Sequence, residues 1–245
     1  MNNQTIEKLT QMRLHGMAQL HAQRLKERPY EELTADEYLA LLTDHEWEHR
    51  QNAKTDRLLK QAGFRQRASI SDVKHDSSRN LDRNMFNRLS AMDFLDRKEN
   101  ILLTGASGVG KSYLAQALGH QACLLGHKVH YAITSRLFGR LKLAKLDGTY
   151  LREMKKLNSF SLLILDDFGL QQFNQSARES LLDIIDDRHC RVSTIVASQI
   201  PVSEWYHLIG ENTIADAILD RIVNSSHRID LKGESRRKNF MNSHE

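Results

Sequence analysis

Eight consecutive residues, Gly105-Ala106-Ser107-Gly108-Val109-Gly110-Lys111-Ser112, carry the densest chemistry of the 245-residue chain. Their spacing is GxxxxGKS, set between the apolar run Ile101-Leu102-Leu103 and a helix-like stretch from Leu114 to Leu125. Glycines at these positions let successive backbone N–H groups converge on an anion, and a helix starting there adds the positive end of its dipole. All eight residues are therefore expected to bind nucleotide phosphates, with Lys111 on the β and γ phosphates and the Ser112 hydroxyl on Mg²⁺. A second apolar run, Leu162-Leu163-Ile164-Leu165, delivers Asp166 and Asp167 at its end. This is a Walker B pattern, in which Asp166 holds Mg²⁺ directly or through water and Asp167 orients the attacking water. Paired acids point to hydrolysis of the β–γ bond of ATP rather than transfer to a small acceptor. The run Thr194-Ile195-Val196-Ala197 ends in Ser198-Gln199, which read either as γ-phosphate sensors or as a strand-end turn before Pro201.

Residues of this kind act only if strands and helices bring them to one edge. The four runs at residues 101–103, 129–133, 162–165 and 194–197 read as strands, separated by helical stretches such as Leu114–Leu125 and Ser176–Asp187. Ser176 and Glu179 read as a capping box opening the latter. Alternating strands and helices predict an α/β fold with a mostly parallel sheet covered on both faces. The first hundred residues differ. Ile6–Arg28 has one glycine and no proline and reads as a single helix closed by Pro29. Thr34 and Glu37 form a capping box for a second helix running to about Gln61. The chain thus divides into a helical N-terminal interaction domain (1–70), a linker (71–98) and an ATPase domain (99–245).

Composition agrees with a folded chain: 40% hydrophobic and 27% charged residues, with 7% aromatics, exclude disorder as the main state. No apolar run approaches the roughly 20 residues of a membrane span, and the polar start lacks the apolar centre of a secretion signal, so the cytoplasm is the expected address. Cys123 and Cys190 have no metal or disulfide spacing. The net charge of +4 matters through its distribution. Between residues 50 and 67 six cations oppose Asp56 alone. After Ile133, Arg136, Arg140, Lys142, Lys145, Arg152, Lys155 and Lys156 oppose only Asp147 and Glu153. Each cluster reads either as a solvated helix face or as a surface for nucleic acid.

LHGMA at Leu14–Ala18, GASGVGKS, LILDDFG at Leu163–Gly169, SEW at Ser203–Trp205, AILDRI at Ala217–Ile222 and LKGESRR at Leu231–Arg237 together resemble IstB. This is the family of ATP-binding helper proteins of bacterial insertion sequences, related to the helicase loader DnaC and the initiator DnaA. The resemblance covers essentially the whole chain. It implies an AAA+ ATPase of the initiator and loader clade that binds ATP and Mg²⁺ between subunits of an ATP-dependent homo-oligomer. It also implies partners in duplex DNA and the cognate transposase. In that clade an arginine after the sensor strand reaches the next subunit's nucleotide, and Arg221 matches it; the alternative is a surface salt bridge with Asp216 or Asp220. Arg236 or Arg237 falls where a late arginine contacts nucleotide, and Arg237 is taken as that candidate. The resemblance favours DNA for the cluster from Arg136 to Lys156. One departure is Asp167, where AAA+ enzymes usually carry glutamate; a shorter acid implies slow or partner-dependent hydrolysis. A helicase loader acting on single-stranded DNA stays open, as does a nucleotide-gated scaffold. A small-molecule kinase lacks support because no arginine-rich lid is evident.

Overall fold

Apolar runs that cannot face water on either side pair side by side. In the computed structural model, which describes residues 2–27, 33–74 and 79–235, five strands form one all-parallel sheet. They are β1 (Asn100–Gly105), β2 (Val129–Ile133), β3 (Leu162–Phe168), β4 (Ser193–Ser198) and β5 (Ser226–Leu231), in the order β2-β3-β4-β1-β5. Side chains alternate across each strand, so neighbours in sequence enter different layers. Ile101, Leu103, Ile164 and Ile195 join one core cluster, whereas Leu102, Leu163, Leu165 and Val196 join the other. The first layer is covered by α6 (Lys111–Leu124); the second is covered by α7 (Thr134–Leu146), α9 (Gln175–Arg188), α10 (Trp205–Ile209) and α11 (Asn212–Val223), with α8 (Tyr150–Asn158) packed on α7 and α9. The expected α/β class holds, with β5 added to the four strands read from the sequence.

The contact pattern divides the chain into residues 1–57 and 58–245. The expected boundary at 70 moves because Leu58 and Ala62, near the end of α3 (Ala35–Ala62), are buried in the core of the second unit. Residues 71–98 are no mere linker either: α4 (Arg83–Ser90) and α5 (Asp93–Asp96) bury Phe86, Leu89, Phe94 and Leu95 in that core. Within the first unit, the single helix expected over Ile6–Arg28 is broken into α1 (Asn2–Gln11) and α2 (His15–Glu27), with Arg13 at φ 60° between them. The break starts α2 at the LHGMA motif, where buried Glu46 of α3 accepts bonds from Gly16 N at 2.7 Å and Met17 N at 3.2 Å. A carboxylate there satisfies free N–H groups of the first turn. Gly16 permits the contact, since a Cβ would stand 2.8 Å from Glu46 Cα. The Thr34–Glu37 capping box forms as expected, with Thr34 N donating to Glu37 Oε2 at 2.8 Å and Glu37 N to Thr34 Oγ1 at 3.3 Å. That of Ser176 does not form: α9 begins at Gln175 and is capped by Asn174, whose Oδ1 accepts from Ala177 N.

Candidate nucleotide site

Parallel strands end together, and their C-terminal edge is where an open α/β sheet binds ligands. The phosphate loop leaves β1 at that edge with Gly105, Gly108 and Gly110 at φ 135°, 83° and 102°, and α6 begins at Lys111. Side chains are barred here: a Cβ on Gly105 would run into the Leu231 carbonyl, and one on Gly110 would stand 2.7 Å from Arg79 Nη2. Buried Lys111 folds its ammonium onto the loop, donating to Gly105 O at 2.8 Å and Ala106 O at 2.7 Å. These bonds hold the ammonium beside the loop's N–H groups, where phosphate oxygens would compete for it.

Ser112 and Asp166 are brought together, with Ser112 Oγ donating to Asp166 Oδ1 at 2.9 Å. A hydroxyl and a carboxylate make the hard oxygen pair that suits Mg²⁺, which completes its shell with water and phosphate oxygens. No cluster of three or more His, Cys, Asp or Glu with metal-holding geometry exists among the described residues. The strand is irregular at Asp167: pairing with β4 shifts register between Leu165 and Phe168, and Asp167 adopts φ 54°. Asp167 lines a groove of about 160 Å³ with Thr134, Gly139, Lys142 and Asn174 on the α7 and α9 side of the sheet, the face opposite the one on which Asp166 meets Ser112.

Ser198 stands in a strand-end turn. It is fully buried, donates to Phe168 O at 2.8 Å and accepts from Ile200 N at 3.0 Å, so its hydroxyl fastens the turn after β4. Arg221 stands at the opposite, N-terminal edge of the sheet, beside Lys98, Asn100 and Thr194. Neither expected surface partner holds it; it pairs with Asp186 at 2.8 Å, its side chain one-third exposed. Arg236 and Arg237 lie outside the described residues. β5 ends beside the phosphate loop, with Leu231 opposite Gly105, and Ser235 beyond it lies against Gly108.

The basic cluster divides by geometry. Arg140 pairs with Glu153 at 3.4 Å, and Lys145 pairs with Glu179 at 2.9 Å and sits over the Tyr150 ring. Arg136, Lys142, Arg152, Lys155 and Lys156 are exposed. Arg136 and Lys142 lie on α7, which is tied to β3: Thr134, its first residue, donates from Oγ1 to Asp166 O at 2.8 Å.

Three residues at the site escape sequence reasoning. Buried Arg79 donates to Val109 O at 2.8 Å inside the phosphate loop, and its own carbonyl accepts from Lys232 N at 3.0 Å. Gln116 Nε2 donates to Ser112 O at 3.0 Å. Tyr131 donates to Asp166 Oδ2 at 2.6 Å, and burial together with the Asp166 charge pushes its pKa well up, which keeps the hydroxyl a donor. Arg79 lies in a polar stretch without periodicity, and the other two look like ordinary members of a helix and a strand.

Comparison with known proteins now decides the family. A model of the IstB-like ATP binding protein family matches residues 7–243. The chain belongs to this family. It is 46% identical over 235 residues to insertion sequence ATP-binding protein y4pL of Sinorhizobium fredii, covering 96% of both chains. It is 30% identical over 213 residues to the insertion sequence IS21 ATP-binding protein of Pseudomonas aeruginosa, covering 87% of this chain and 80% of that one. Among solved structures the fold is similar to that of DnaI (TM-score 0.56, 23% identity, 72% of this chain and 94% of that one). It is also similar to AMPPCP-bound DnaA from Aquifex aeolicus (TM-score 0.57, 18% identity, 74% and 56%). The fold is thus that of an AAA+ P-loop NTPase of the DnaC and DnaA type, preceded by a helical N-terminal region.

Proposed function

We propose that the protein is an ATP-hydrolysing AAA+ helper of DNA transposition. In this reading it oligomerises on duplex DNA in the cytoplasm, selects or remodels the target, and recruits and answers to the transposase. The observation that carries the coupling of ATP to DNA is the Thr134–Asp166 bond, which joins the first turn of a cationic helix to the strand bearing the metal acid.

The chain's own residues divide the work. The loop from Gly105 to Ser112 binds the phosphates through backbone N–H groups, and Lys111 exchanges its carbonyl partners for phosphate oxygens. Ser112 and Asp166 would hold Mg²⁺, which when bound supplies positive charge against the β and γ phosphates. Asp167 orients water and accepts its proton. Arg221, remote from its own phosphate loop, serves the nucleotide of a neighbouring subunit, so stabilisation of charge on the γ-phosphate waits for assembly. Arg237 contacts nucleotide from the chain that follows β5.

Exposed Arg136, Lys142, Arg152, Lys155 and Lys156 contact phosphodiesters, and summing such contacts over many subunits makes binding tight and nucleotide-controlled. The N-terminal helices, which expose Leu39 and Trp47, serve the transposase or neighbouring subunits. Duplex DNA binding measured against salt tests the assignment of cations. Lys142→Ala is expected to lower affinity and reduce the log–log salt slope by about 1, whereas Lys145→Ala, whose lysine is engaged by Glu179, changes the slope less. Equal slopes for Lys142→Ala and the wild type would remove α7 from the DNA interface.

A further inference from the structure

The Asp166 carboxylate is held from two sides. Oδ1 accepts from Ser112 Oγ and from Asp167 N, both at 2.9 Å, while Oδ2 accepts from Tyr131 Oη at 2.6 Å. The first two donors belong to the Walker motifs; Tyr131 belongs to none. It lies on β2 opposite Ile164, two residues before Ile133, which is opposite Asp166. Residues two apart share a face of the sheet, so Tyr131 meets Asp166 on the diagonal, a span that a long aromatic side chain bridges. The ring is 5% exposed and packs near Phe64, with centroids 6.4 Å apart; Asp166 is 2% exposed. Phenylalanine would fill this space without placing a hydroxyl in the core. The hydroxyl is tolerated because it and the carboxylate satisfy each other.

We infer that Tyr131 is a positioning residue for magnesium-dependent nucleotide binding, fixing Asp166 Oδ2 so that Oδ1, the oxygen shared with Ser112, is the one presented to the metal. The inference rests on the reading of Ser112 and Asp166 as the magnesium pair. Rotation of a carboxylate about its last torsion is broad and two-fold, so without an anchor its two oxygens exchange places. A hydroxyl anchor sets the orientation and leaves the negative charge intact for the cation, which an ammonium or guanidinium would neutralise. Partners of this kind around metal ligands typically contribute roughly 10–100-fold to metal affinity.

Tyr131→Phe in the full chain separates orientation from packing, because it removes one oxygen and keeps the ring. A fluorescent ATP analogue is titrated with Mg²⁺ and again in EDTA, with thermal melting recorded beside it. The expected result is a roughly 10–100-fold smaller gain in affinity on adding Mg²⁺, with EDTA affinity and melting close to wild type. A wild-type magnesium gain overturns the inference. Equal losses with and without Mg²⁺, or loss of cooperative melting, assign the hydroxyl to folding and overturn it as well. Ser112→Ala distinguishes failure of the underlying reading: if that variant keeps the full magnesium gain, Ser112 and Asp166 are not the metal pair.

Discussion

Asp167 sits at φ 54°, a conformation that non-glycine residues adopt at a cost of about 1–3 kcal/mol and that concentrates at functional sites. The pair of acids in LILDDFG is plain in the sequence; the left-handed backbone at the second is not, because it accompanies a register shift between β3 and β4. Asparagine tolerates the left-handed region as aspartate does, so Asp167→Asn removes the proton acceptor without disturbing the turn. Phosphate release by that variant is expected to fall by about 10²-fold or more, with ATP affinity within a factor of two or so of wild type; undiminished release would exclude Asp167 as the base. Ser198 teaches the opposite lesson. Its position after a strand suits a sensor, yet whether a serine hydroxyl faces a ligand or closes a turn depends on two backbone groups, Phe168 O and Ile200 N, that no local pattern announces.

Elements whose signal is a local period were legible: four strands, α6 and most of α3 appear where apolar spacing puts them. Elements decided by a distant partner were not. The break between α1 and α2 depends on Glu46, thirty residues beyond Gly16, and the end of α3 joins the second unit because of what buries Leu58 and Ala62. The α7 helix carries a testable oddity. Gly139 lies in its interior, without positive φ and with no atom within 4 Å of where a Cβ would stand. Glycine in an exposed helix costs about 1 kcal/mol relative to alanine. Gly139→Ala is therefore expected to raise the melting temperature by about 2–4 °C, measured by calorimetry on the full chain; a lower value would mean that the outer face of α7 is packed against something in the isolated protein.

At the scale of the whole molecule, the residues assigned here to ATP hydrolysis stand at opposite ends of the strands of one sheet. Ser112, Asp166 and the phosphate loop lie at the C-terminal edge, and Arg221 lies at the N-terminal edge beside Asn100 and Thr194. This separation is what the proposed role of Arg221 in a neighbouring subunit's site rests on. The role proposed for Arg221 comes from sequence resemblance, whereas its place beside the starts of β1 and β4, at the end of the sheet away from the phosphate loop, is visible only in the fold. The most direct test is sedimentation velocity of wild type and Arg221→Ala, each with ATP, ADP or no nucleotide, and with duplex DNA, single-stranded DNA or none. Assembly through Arg221 predicts large wild-type complexes that need ATP and favour duplex DNA, and their loss in Arg221→Ala although that variant still binds ATP as a monomer. A wild-type protein that stays monomeric under every condition, or assembles preferentially on single strands, would contradict it.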